Sequence, residues 1–137
     1  MRRVIDNSVV FKWFAEETDS DRAKKYLEDF VAGKDKILIP TLLFYEFGQA
    51  CRNGALPSQA ISRIMELMQK LPFQIEDVGF TSFRKIYQIA SEYDLSFYDA
   101  SYVTLMQKHD CELVTADKKL YNKLKTKLKR TTLLQAV

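Results

Sequence analysis

Five short apolar segments, each separated from the next by a longer segment, constrain the fold of this chain most strongly. They are rich in Val, Ile and Leu, as in strands that are covered on both faces, and they lie at residues 3–5, 37–39, 73–75, 113–115 and 132–134. Strands that alternate with helices form a mostly parallel sheet between helical layers. The alternation therefore predicts an α/β fold with three layers, α/β/α, around a mostly parallel sheet of five strands.

The longer segments carry apolar residues at helical spacing. Asp19 or Ser20 can cap a helix that ends before Gly33, and Ser58 can cap another that ends before Pro72. The other helices are predicted over residues 42–52, 80–93, 97–109 and 118–128. In sheets of this kind ligands bind at the carboxyl ends of the strands, so functional residues are expected there.

Length and composition favour one globular domain. The chain has 137 residues, and we expect residues 1–137 to share a single core. Apolar residues make up 47% and charged residues 28% of the chain, which argues against disorder. The net charge of +3 permits a polyanionic partner without requiring one.

Several protein classes are excluded by simple counts. The longest uncharged apolar segment, residues 37–45, is too short to span a bilayer, and Asp6 interrupts the apolar start before a signal-peptide core forms. We therefore expect a cytoplasmic protein without membrane association, whose distant Cys51 and Cys111 are reduced. Since His109 is the only histidine, zinc sites with several histidines are excluded. The glycines form no dinucleotide-binding or phosphate-binding motif.

Two acidic residues, Asp6 and Asp117, directly follow predicted strands and precede helical segments. Each could simply cap its helix, which is the commoner role of an acid in that position. Each could also point into the crevice at the carboxyl edge of the sheet. The residues alone leave both interpretations open.

Glu46 and Asp99 lie on the apolar faces of their predicted helices. A carboxylate there is costly unless it is hydrogen-bonded, paired with a base or bound to a cation. If both converge with Asp6 and Asp117, each pair repels by about 4 kcal/mol at about 4 Å, for an effective dielectric of about 20. A hard cation with oxygen ligands, Mg²⁺ or Mn²⁺, would relieve that repulsion.

Four segments carry a recognisable set of motifs: VIDNSVV at residues 4–10, PTLLFYE at 40–46, YDLSFYDASY at 93–102 and LVTADKKL at 113–120. In this order and at these separations they resemble the PIN domain. Within that superfamily they are most similar to the VapC-type toxins of bacterial and archaeal toxin–antitoxin pairs. The third motif is the most specific, and the resemblance covers nearly the whole chain.

The resemblance implies a parallel sheet of five strands, an acidic pocket at the strand ends, and Mg²⁺- or Mn²⁺-dependent cleavage of RNA. It implies that the catalytic and metal-binding residues are an acidic quartet, Asp6, Glu46, Asp99 and Asp117. Thr115 matches the hydroxyl residue that the family places two positions before the last acid, and Ser8 is expected to support the same network. Lys119 departs from the pattern, because many relatives carry a further acid there that would serve a second metal ion.

The last predicted helix and its exit are crowded with lysines. A solvated basic face is the simpler interpretation. The alternative is a track for an RNA backbone, because the segment begins beside the proposed pocket and its charge would offset repulsion between the acids and RNA. The candidate RNA-binding residues are Lys118, Lys119 and Lys123.

The resemblance also implies two protein partners, a cognate antitoxin and a second copy of the chain in a homodimer. Trp13 and Phe14 are expected to pack in the core, although exposed aromatics there would suit the antitoxin. Tyr98 and Tyr102 could stack on RNA bases or pack between helices.

Three other functions compete with this hypothesis. A phosphoacceptor receiver domain needs an acidic pair after the first strand, where this chain has Asp6 and Asn7, and it leaves Glu46 and Asp99 unexplained. A nuclease acting on DNA would use the same metal chemistry, and only analogy with the family favours RNA. The main alternative is a non-catalytic module that binds RNA or protein on the same fold.

Overall fold

The computed structural model of the chain describes residues 1–134, so the last three residues of the predicted domain 1–137 lie outside the described residues. Its strands form one sheet in the order β3-β2-β1-β4-β5, and every neighbouring pair is parallel. The strands are β1 (Arg2–Ile5), β2 (Lys36–Pro40), β3 (Gln74–Glu76), β4 (Glu112–Thr115) and β5 (Thr131–Leu133). The predicted α/β class and five-stranded sheet are confirmed.

Helices occupy the segments between the strands. Within residues 1–134 they are α1 (Asn7–Val10), α2 (Ser20–Val31), α3 (Leu42–Arg52), α4 (Ile61–Lys70), α5 (Phe80–Tyr93), α6 (Phe97–His109) and α7 (Lys118–Leu124). Short 3₁₀ turns follow α1 at Phe11–Trp13 and precede α4 at Ser58–Ala60. None of the described helices is long and apolar enough to cross a membrane.

The central strands are buried on both faces. Val4 and Ile5 of β1 and Leu113 and Val114 of β4 are all inaccessible to solvent. Because successive side chains of a strand point to opposite faces, helices must cover both sides of the sheet, which gives the three predicted layers. Helix α6 packs across β2, β1 and β4, and its Tyr102 belongs to the core.

The order in which the chain adds strands to the sheet reverses between β1 and β4, although all the strands stay parallel. From β1 the chain builds outward through β2 and β3, and it then returns to the other side of β1 for β4 and β5. The crevice outside the carboxyl ends of the strands at such a point is where open α/β sheets bind ligands. Asp6 follows β1 and Asp117 comes two residues after β4, so the topology places both beside this crevice.

Two details of the predicted helices are wrong. Helix α7 ends at Leu124 instead of residue 128. It ends early because the chain must turn before β5 begins at Thr131. The backbone N–H of Leu128 still donates to the Leu124 carbonyl at 2.7 Å. The predicted side-chain caps of α2 and α4 do not form. The hydroxyl of Ser20 instead donates to the Ala15 carbonyl at 2.7 Å, which links the start of α2 to the loop that precedes it.

Candidate active site

Asp6 is buried at the end of β1, where two hydroxyl groups surround its carboxylate. Oδ1 accepts hydrogen bonds from the Ser8 backbone N–H at 3.1 Å and from the Ser8 hydroxyl, and Oδ2 accepts one from the Thr115 hydroxyl at 2.5 Å. The backbone N–H of Ala116 donates to Ser8 Oγ at 2.9 Å, and that of Asp117 donates to Thr115 Oγ1 at 3.1 Å. Because an ionised carboxylate can only accept hydrogen bonds, both hydroxyls donate to Asp6 and use an oxygen lone pair to accept these amides.

Burial outweighs these hydrogen bonds and raises the pKa of Asp6 from 3.8 to about 6. The bonds from Ser8 and Thr115 oppose that rise, and the negative charge of Asp99 adds to it. The ionised form of Asp6 is therefore costly in the folded chain unless a positive charge lies nearby.

Glu46 extends from α3 and is half-buried. Its Oε1 accepts a 2.5 Å hydrogen bond from the hydroxyl of Tyr102, which is 1% exposed. Burial raises the pKa of Glu46, the bond from Tyr102 opposes this, and the charge of Asp99 raises the pKa further. The hydrogen bond from the Tyr102 hydroxyl therefore partly offsets the cost of placing the Glu46 carboxylate on the apolar face of α3.

Asp99 lies in the first turn of α6 and is also half-buried. Its backbone N–H donates to the hydroxyl of Ser96, the residue that caps the helix, at 3.0 Å. Burial raises the pKa of Asp99, and the next largest contribution is the negative charge of Asp117. Since the charge of Asp99 in turn raises the pKa values of Asp6 and Glu46, the electrostatic interactions of the acidic quartet converge on Asp99.

Asp117 is exposed and caps α7, with Oδ1 accepting the backbone N–H groups of Lys119 at 2.9 Å and Leu120 at 3.2 Å. Asp6 likewise caps α1 through the N–H of Ser8, so the cap interpretation of both strand-end acids is confirmed. It does not exclude a second role, because the cap bonds of Asp117 use only one of its oxygens. Asp117 and Asp99 line one cleft of about 180 Å³, together with Lys119 and Lys123.

The acidic quartet has the donor chemistry of a hard-cation site. Within residues 1–134, no three Asp, Glu, His or Cys side chains are close enough to enclose a metal ion. Nor does any member of the quartet form a salt bridge within that range, so its charge is not neutralised by a direct ion pair. Mg²⁺ usually takes one or two protein carboxylates and completes its shell with water and phosphate oxygens. The residues fit such an open site rather than a closed protein cage.

Two of the three candidate RNA-binding lysines lie at the cleft. Lys119 and Lys123, one helical turn apart on α7, both line it, whereas Lys118 does not. The Nζ atom of Lys123 donates to the Asp94 carbonyl at 2.5 Å and lies 3.7 Å from its carboxylate, so Lys123 also ties α7 to the loop before α6.

The aromatic residues divide clearly between core and surface. Tyr102 is buried, so the hypothesis that it stacks on RNA bases is wrong, whereas Tyr98 is 59% exposed beside Asp99. Trp13 is buried and donates from its indole to the Ala23 carbonyl at 2.9 Å, which confirms its predicted core position. The contact between Tyr102 and Glu46 was missed at the sequence level, although a tyrosine three positions after Asp99 on an apolar helix face signals a hydroxyl in need of a partner.

Comparisons with known proteins show the family and the fold of the chain. The family model of the PIN domain matches residues 3–125, a range that contains the whole acidic quartet. The crystal structure of PAE2754 from Pyrobaculum aerophilum has a TM-score of 0.65 at 25% identity, over 90% of this chain and 79% of that one. A toxin–antitoxin complex from Klebsiella pneumoniae has a TM-score of 0.67 at 18% identity, over 98% of this chain and 99% of that one, which shows likeness of fold. No curated protein matches the chain significantly.

Proposed function

The chain belongs to the PIN-domain family, whose members are generally nucleases, and from this premise we propose that it is a Mg²⁺- or Mn²⁺-dependent endoribonuclease. We propose further that it is the toxin of a VapBC-type toxin–antitoxin pair. The observation that carries the proposal is the cleft lined by Asp99 and Asp117 at the switch point of the sheet, where Thr115 joins Asp117 to the buried Asp6.

Each residue of the site has a definite role in this proposal. The acidic quartet would hold the cation, one or two of its carboxylates directly and the others through the water ligands of the ion, while Ser8 and Thr115 orient the carboxylate of Asp6. A divalent cation held by these residues would supply Lewis-acid chemistry, activating a water for attack and offsetting charge on the phosphate oxygens. Lys119 stands where many relatives carry a further acid, which favours one cation over two.

The lysines of the cleft are proposed to hold the RNA. Lys119 and Lys123 place positive charge beside Asp99 and Asp117, where the phosphate backbone must approach a negative site. Lys118 is included as an outlying contact, because it is exposed at the start of the same helix.

We also propose a cognate antitoxin and a second copy of the chain as partners, in the cytoplasm. The fold likeness to the Klebsiella pneumoniae toxin–antitoxin complex supports the antitoxin. Large exposed apolar side chains on α3 and α5 offer surface that protein partners would cover, namely Phe44, Tyr45, Phe80 and Tyr87.

Cleavage of a long, unstructured RNA by the purified chain tests the proposed activity. We expect cleavage with Mg²⁺ or Mn²⁺, none with a chelator, and products that carry a 5′-phosphate and a 3′-hydroxyl. Asp99→Asn should abolish cleavage. Asp110→Asn is the matched control, because Asp110 lies just beyond the other end of α6, is exposed and has a left-handed backbone that Asn also adopts. RNA binding by a folded chain that never cleaves would favour the non-catalytic binding module.

A further inference from the structure

Tyr102 and Glu46 form a contact that the proposed function does not use. Tyr102 is among the largest fully buried side chains of the described chain, and its hydroxyl donates to Oε1 of Glu46 at 2.5 Å. A phenylalanine would fill the same space without needing a polar partner. The buried hydroxyl is therefore matched to one acceptor, which is a carboxylate of the acidic quartet.

The hydrogen bond joins two helices that approach the site from different parts of the chain. Glu46 lies on α3 and Tyr102 lies 56 residues later on α6, one turn after Asp99. Within residues 1–134, Glu46 makes no other side-chain hydrogen bond and no salt bridge. A glutamate has three rotatable bonds, so this contact is what fixes its carboxylate relative to Asp99.

We propose that Tyr102 is a positioning residue of the cation site, whose hydroxyl holds Oε1 of Glu46 and leaves Oε2 as the oxygen available to a cation. The inference rests on the proposed function and deepens it, because it assigns the orientation of Glu46 to a residue that touches neither cation nor RNA. Groups that orient a metal ligand typically change metal affinity or activity by about 10-fold to 100-fold when removed.

A Mn²⁺-binding titration of the parent chain and of Tyr102→Phe tests the inference. The substitution keeps the buried ring and removes only the hydroxyl, so packing is retained. We expect Mn²⁺ affinity to fall by about tenfold or more, and kcat for RNA cleavage to fall with KM unchanged. Tyr98→Phe is the matched control, because Tyr98 is exposed on the same helix, and it should bind Mn²⁺ like the parent.

A double-mutant cycle shows whether Tyr102 acts through Glu46. In a Glu46→Gln background, the further change Tyr102→Phe should leave Mn²⁺ affinity unchanged, since the ligand it orients is already lost. An equal loss in both backgrounds would overturn the inference.

The outcomes separate this inference from the proposed function. If the parent binds Mn²⁺ and Tyr102→Phe binds it equally well, with only a lower melting temperature, the hydroxyl has a structural role and the inference is wrong while the cation site stands. If the folded parent binds no Mn²⁺ and cleaves no RNA, the proposed function fails and the inference fails with it.

Discussion

The hydroxyl of Thr115 donates a 2.5 Å hydrogen bond to Oδ2 of Asp6 and so joins the end of β4 to the end of β1 where the sheet reverses its order. The same hydroxyl accepts the backbone N–H of Asp117 at 3.1 Å. Two members of the acidic quartet are thus parts of one hydrogen-bonded unit that depends on a buried threonine.

Replacing Thr115 by valine removes this link while keeping the shape of the side chain. We expect RNA cleavage at saturating Mg²⁺ to fall by about 10-fold to 100-fold, and the free energy of unfolding to fall by about 1–3 kcal/mol because buried groups lose partners. Thr115→Ser should retain most of the activity. Thr104→Val is the control, since the Thr104 hydroxyl donates only to the Ala100 carbonyl within α6. Parent-like cleavage by Thr115→Val would contradict the role assigned to the hydroxyl.

Asp6→Asn should stabilise the chain in the absence of metal. The folded-state pKa of Asp6 is raised from 3.8 to about 6, so its ionisation disfavours the folded state. The cost is absent below pH 4, grows as pH rises to about 6 and then stays constant at about 3 kcal/mol. Asparagine removes that cost and can still cap α1.

Urea unfolding with a chelator, at pH 4 and pH 7.5, measures this effect. The advantage of Asp6→Asn over the parent should be present at pH 7.5 and largely lost at pH 4. The control variant Asp110→Asn removes one negative charge at an exposed position, so it separates the effect of burial from the effect of losing a charge. The same advantage at both pH values would show that burial does not govern the ionisation of Asp6.

Metal affinity should fall as the solution is acidified. Protons compete with the cation for the carboxylates, and burial raises the pKa values of Asp6, Glu46 and Asp99. We expect the apparent Mn²⁺ affinity to be nearly constant above pH 7 and to fall by about tenfold or more per pH unit well below pH 6. Titrations at pH 7.5, 5.5 and 4.5 measure it, and an affinity independent of pH would place the ion on groups other than these acids.

The lysines at the cleft should raise RNA affinity through contacts with phosphates, and the salt dependence of binding should report these contacts. In an Asp99→Asn background that prevents cleavage, Lys119→Gln and Lys123→Gln should each weaken binding and reduce the slope of log affinity against log salt by about 0.7 to 1. Lys118→Gln should have a smaller effect, because Lys118 does not line the cleft. Lys70→Gln on α4 is the exposed control. Equal slopes for all variants would leave these lysines as a solvated basic face.

The sheet was predictable because each strand is short, apolar and bounded by polar or helical segments. The sequence predicts the first strand at residues 3–5, where the structure has Arg2–Ile5, and the last at residues 132–134, where the structure has Thr131–Leu133. The end of α7 was not predictable in this way. Leu128 continues the apolar stripe, but the chain must turn to reach β5, and that requirement comes from the sheet rather than from the helix.

Positions in the site were easier to predict than contacts. The strand ends indicated where Asp6 and Asp117 lie, and the apolar faces indicated that Glu46 and Asp99 turn inward. The bond between Tyr102 and Glu46 depends on how α6 crosses the sheet beside α3, and helical periodicity carries no information on that crossing.

The central claim is that the acidic quartet shares one divalent cation, and a Mn²⁺ titration of the metal-free parent beside Asp99→Asn at pH 7.5 tests it most directly. Circular dichroism and the Asp110→Asn control establish that each chain is folded and that loss of charge alone is not the cause. Saturable binding by the parent and by Asp110→Asn, weakened at least tenfold in Asp99→Asn, is the predicted result. Equal binding by Asp99→Asn, or no binding by a folded parent, would contradict the account.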